Sequence, residues 1–184
     1  MGKRTRTVES PQPKKRRKYD KDDVIVEGPV QDSTWRPNML IACGNAHTLC
    51  LGKQGRVYSF GDNDEYQLGR QNTYKHTPIR VEIQEEIIAI AVGCDHNLCL
   101  DHKNRVWGFG CNDEGQLGLN HDENVKIPEV VPSLTRISAI SCGAYHSVCV
   151  SASGHVYSFG LNDEGQLGLG DTENRLIPEQ IPNL

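Results

Sequence analysis

The sequence has 184 residues, 36% of them hydrophobic, with a formal net charge of −4 and seven cysteines, which leaves room for one domain with its own core. No run approaches the roughly 18 to 20 consecutive apolar residues of a membrane span. The basic N-terminus leads into no apolar segment of the secretory type, so an intracellular protein with no membrane contact is expected.

The chain opens on a charge run. Residues 1–18 hold Lys3, Arg4, Arg6, Lys14, Lys15, Arg16, Arg17 and Lys18 against Glu9, so this short stretch carries +7 and the rest of the chain −11. Such a stretch cannot bury enough apolar surface to offset its ordering entropy. Residues 1–22 are therefore expected to be a disordered basic tail on an acidic body. Its cluster, PKKRRK at 13–18, resembles a nuclear import signal. Closely spaced cations suit the acidic groove of an import receptor, and also the phosphates of DNA. Ser10-Pro11 adjoins the cluster, where a phosphate would oppose both.

From residue 35 the sequence repeats. CGNAHTLCL near residue 43 returns as VGCDHNLCL near 92 and as CGAYHSVCV near 142. RVYSFGDNDEYQLG returns as RVWGFGCNDEGQLG and HVYSFGLNDEGQLG, and Pro78, Pro128 and Pro178 stand 50 residues apart. A fixed period of this length marks a stacked architecture. The units run over about 35–84, 85–133 and 134–184. In the second, IIAIAV, NLCL, VWGFG and a short segment around IPEVV read as strands, with HKN and NDEGQ as turns between them. Four short strands in about fifty residues is the density of a propeller blade. Gly61, Gly110 and Gly160 close the aromatic strand, and Gly69, Gly118 and Gly168 follow a leucine in the next turn, where positive φ is easily reached. The prolines suit an edge strand.

Candidate chemistry repeats along with the strands. His47, His96 and His146 recur three residues after Gly44, Gly93 and Gly143. A residue needed once per unit is expected to satisfy a recurrent backbone or side-chain group rather than to build one metal site. Asp64-Glu65, Asp113-Glu114 and Asp163-Glu164 supply paired carboxylates, but each pair follows an asparagine in a turn, which such residues favour. No phosphate-binding loop, calcium-loop spacing or Ser-His-Asp order is present. Cys50, Cys99 and Cys149 share one repeat position and are expected to be buried facing a strand interior. No Cys-x-x-Cys or His-x-x-x-His pair offers zinc ligands. No metal, no cofactor and no hydrolytic or redox catalysis is expected.

The G-x-x-H strand, the V-Y/W-x-F/W-G strand and the N-D-E-G-Q-L-G turn resemble the regulator of chromosome condensation repeat family over residues 35–184. The resemblance implies an all-β propeller of four-stranded blades, seven in the family and three here, hence an open arc. Two departures stand out: Asn104 replaces a hairpin glycine, and Tyr66 replaces the turn glycine where the first turn is expected to be relaxed. The arc has three readings: part of a longer propeller, a self-associating arc through its open blade faces, or a product of low stability. By resemblance, the expected function is a nuclear, chromatin-associated interaction scaffold, and the alternative is guanine-nucleotide exchange on a Ran-type GTPase. The expected partners are an import receptor, histones or DNA, and that GTPase.

Overall fold

The computed structural model describes residues 40–71 and 74–184. The basic residues of the tail lie outside them. The described chain folds as three four-stranded antiparallel sheets in sequence order. The first sheet holds β1 (Leu40–Cys43), β2 (His47–Leu51), β3 (Val57–Gly61) and β4 (Ile79–Arg80). The second holds β5 (Ile87–Val92), β6 (His96–Asp101), β7 (Val106–Gly110) and β8 (Val125–Val130). The third holds β9 (Ile137–Cys142), β10 (His146–Ser151), β11 (Val156–Gly160) and β12 (Arg175–Gln180). Each is a simple meander. The four strands expected in the second unit correspond to β5–β8.

Alternation along each strand assigns the two faces of a sheet. On β2, His47, Leu49 and Leu51 are buried, while Thr48 and Cys50 are only partly covered. On β10 the phase is reversed: Ser147, Cys149 and Ser151 are buried, and His146, Val148 and Val150 are partly covered. All six residues of β6 are buried, because the second sheet is packed on both faces. One core joins Leu49, Leu51 and Val57 of the first sheet to Cys99 and Phe109 of the second. The other joins Leu98, Leu100 and Val106 of the second to Cys149 and Phe159 of the third. Burial raises the thiol pKa of both Cys99 and Cys149. Cys50 departs from the expected burial for the same geometric reason, since it sits on the face of the first sheet against which no other described sheet packs.

Pro128 and Pro178 fall in β8 and β12, at the sheet edges and beside register shifts against Gly108/Gly110 and Ser158/Gly160. A bulge on an edge strand is where a missing N–H costs least. Asn104 takes the hairpin position with φ 62°, which asparagine accepts. Tyr66 does not relax its turn. It holds φ 62° where Gly115 and Gly165 hold 78° and 72°. Its ring lies outside the core, 40% exposed, with the Lys126 ammonium 6.0 Å from its centroid.

Candidate interaction surface

The G-x-x-H loops and the N-D-E turns lie along one edge of the stack. The amides of Asp62, Cys111 and Leu161 donate to the carbonyls of Ala46, Asp95 and Tyr145, which ties each turn to the loop of its own sheet. Within the turns, Asn63, Asn112 and Asn162 accept from the amides of Leu68, Leu117 and Leu167, each at 2.9 Å. Gln67, Gln116 and Gln166 likewise accept from Glu65, Glu114 and Glu164. The side chains replace backbone pairing that so tight a turn cannot supply.

His47 and His96 join neighbouring sheets. His47 Nε2 meets Asn97 Oδ1 at 2.8 Å, and His96 Nε2 meets Ser147 Oγ at 3.0 Å. Ser147 gives its single proton to the Gln116 carbonyl at 2.7 Å, so His96 must donate through Nε2; Asn97 Oδ1 can only accept, so His47 does the same. Nδ1 of both rings is buried without a hydrogen bond. The rings stack on glycines: a Cβ at Gly44, Gly93 or Gly143 would collide with the imidazole of His47, His96 or His146. Burial holds His47 below the usual histidine range and pushes His96 down to about 3. Both rings are therefore neutral at physiological pH, and among the described residues no group of His, Cys, Asp and Glu could hold a metal ion.

Two further bonds complete each junction. The loop amides of Asn45 and Cys94 donate to the carbonyls of Cys94 and Ala144 in the following sheet. Glu65 and Glu114 accept from Asn124 and Asn174 of the following sheet, each at 2.7 Å, and those two asparagines also accept the backbone N–H of Asn112 and Asn162. The first two carboxylate pairs thus divide their roles: the glutamate bridges sheets, while Asp64, Asp113 and Asp163 face solvent, Asp64 with the Lys75 ammonium 2.6 Å away. Gly69 and Gly118, at φ 61° and 69°, lie against the rings of Phe109 and Phe159. Gly168 repeats that conformation, with Ile181 of its own sheet beside it. Gly61, Gly110 and Gly160 have φ above 100° and press against the carbonyls of Ala46, Asp95 and Tyr145.

Sequence reading missed Asn97, Ser147, Asn124 and Asn174. The last two carried a signal, a Glu-Asn pair four residues before Pro128 and Pro178. The first two had none, because position 48 is threonine, 97 asparagine and 147 serine. On the opposite edge, a network peculiar to the second sheet surrounds the fully buried Asp101. Trp107 Nε1 donates to it at 3.0 Å, and Arg105 pairs with both Asp101 and Glu85.

The model of the "Regulator of chromosome condensation (RCC1) repeat" matches residues 54–100, 103–150 and 153–184, and a second model of that description matches 40–67, 87–116 and 137–166. The chain belongs to the regulator of chromosome condensation repeat family. The human regulator of chromosome condensation is 48% identical over 48 residues, 24% of this chain and 11% of the relative. The Xenopus laevis protein of that name is 42% identical over 50 residues, 26% of this chain and 12% of the relative. Among solved structures, yeast RCC1 (Prp20) bound to Kap60 superposes with a TM-score of 0.70 at 25% identity, over 78% of this chain and 37% of that one. Human WBSCR16 gives 0.70 at 25% identity, over 84% of this chain and 40% of that one. The chain thus spans well under half the length of each of these proteins.

Proposed function

We propose that this RCC1-repeat chain is a non-enzymatic, nuclear and chromatin-associated scaffold that presents its turn edge to protein partners. The observation that carries this reading is the use made of the repeat's polar side chains. His47, His96, the turn asparagines and glutamines, Glu65 and Glu114 serve turn and junction bonds, so what the edge offers a partner is a row of solvent-facing aspartates, Asp64 of them paired with Lys75, with Tyr66 and Tyr145 exposed among them. Lys3, Arg4, Arg6 and the Lys14–Lys18 cluster would supply import-receptor binding and contacts to histones or DNA. Kinship supports an import receptor and histones among those partners: yeast RCC1 (Prp20) was solved bound to Kap60, and Prp20p has binding properties to Gsp1p and histones.

The second reading is guanine-nucleotide exchange on a Ran-type GTPase, favoured by family membership. Exchange requires tighter binding of the nucleotide-free than of the loaded GTPase, and three sheets offer a reduced platform for that. Release of a fluorescent GDP analogue from a Ran-type GTPase, with histone binding measured in parallel, separates the two. The scaffold predicts unaccelerated release with histone or DNA binding that weakens with salt and falls when Lys14–Lys18 are replaced by alanine. Accelerated release would favour exchange, and neither release nor binding would remove both readings.

A further inference from the structure

We propose that the outer face of the third sheet docks onto the outer face of the first sheet of a second copy, so that two copies close head to tail. Each internal junction pairs two distinct surfaces. The leading one carries a histidine and three aliphatic side chains: His47, Leu49, Leu51 and Val57 between the first two sheets. The receiving one carries a small polar residue, a cysteine and two aromatics, namely Asn97, Cys99, Trp107 and Phe109. Register extends the pattern to the two faces with no neighbour among the described residues. His146, Val148, Val150 and Val156 share the outer face of the third sheet, a leading surface. Thr48, Cys50, Tyr58 and Phe60 share the outer face of the first, a receiving surface, with Ile41 beside Cys50 and 63% exposed.

The match includes the polar bonds. No hydrogen bond joins the described His146 to a following sheet, and Thr48 offers a hydroxyl at the position where Ser147 receives His96. Gly168 stands ready for Phe60 as Gly118 is for Phe159. One element is missing: Tyr74 occupies the place of Asn124 and Asn174, four residues before the proline, so Glu164 would lack its bridge and the junction between copies would be weaker than those within a chain. The pairing is directional, third sheet to first, because two leading surfaces would oppose histidine to histidine. Two copies supply six sheets, within the range of about four to eight at which propellers close, and closure removes both open faces.

Light scattering of the full chain tests this, together with Val148→Glu on the leading surface and Tyr58→Glu on the receiving one, with circular dichroism and thermal melts to verify folding. The expected mass is twice the 20.5 kDa of the chain, dropping to a single chain for either variant. Mixing the two variants should restore paired chains through the one junction that both leave intact. A wild-type mass of one chain, or a pair that survives either substitution alone, would overturn the proposal. So would two well-folded variants that fail to pair on mixing. None of these readouts depends on histone binding or nucleotide release, so failure here and failure of the scaffold reading are separable.

Discussion

At the scale of single residues, the buried histidines make stability depend on pH. His96 is fully buried, and its folded-state pKa of about 3 lies well below the ordinary value of 6.5. A lowered folded pKa on a base means that the unfolded chain takes up a proton that the fold refuses. Stability is then whole above 6.5 and declines as pH falls from there towards 3, by about 1.4 kcal/mol per pH unit for each such group. Urea unfolding at about pH 7 and about pH 5 should show that loss, and His96→Gln, which keeps a donor, should flatten it. The glycines make a second residue-scale case. Gly118 has φ 69° with a Cβ position 2.9 Å from the Phe159 ring, whereas Gly170 has φ 89° and nothing within 4 Å. Gly170→Ala should cost about 1 kcal/mol, from conformation alone. Gly118→Ala should cost at least ~2 kcal/mol more, from overpacking, as read from the denaturation midpoint. The sequence made these positions visible as repeats. It did not say that the first glycine of G-x-x-H is a seat for the ring, because that close approach is backbone against side chain within one loop.

At the scale of elements, the strands were legible because alternation and turn chemistry agree in all three units. What stayed hidden was how one sheet addresses the next. Asn124 and Asn174 serve two masters, holding the turn behind them and a glutamate of the sheet before, and such a partner about sixty residues distant leaves little trace in local pattern. A double-mutant cycle of Glu114→Ala and Asn174→Ala should return a coupling of about 0.5–1 kcal/mol, while Asp163→Ala, on a solvent-facing carboxylate, should change stability by less than about 0.5 kcal/mol. Asn112→Ala should be costlier, about 2 kcal/mol, because it strands the buried Leu117 amide that the side chain receives at 2.9 Å.

At the scale of the whole molecule, the partial propeller was legible from period and copy number, and the difference between its sheets was not. A period treats the units as equal, yet Cys50 is half-covered while Cys99 and Cys149 are buried, because this position faces the preceding sheet and among the described residues the first sheet has none before it. Hydrogen exchange on the Val148→Glu variant, which keeps copies apart, should therefore find the slowest amides in His96–Asp101 and faster ones in the equivalent strands His47–Leu51 and His146–Ser151.

The matched repeats are out of phase with the sheets: 54–100 begins at the hairpin before β3 and ends within β6. Because successive junctions use equivalent positions, the chain has no privileged place at which a unit must start. A genetic duplication of one period, wherever its breakpoints fall, inserts one complete sheet together with both of its contact surfaces. Growth or loss by whole sheets is thus the easiest large change open to this architecture, and a chain with few of them needs no new interface to lengthen.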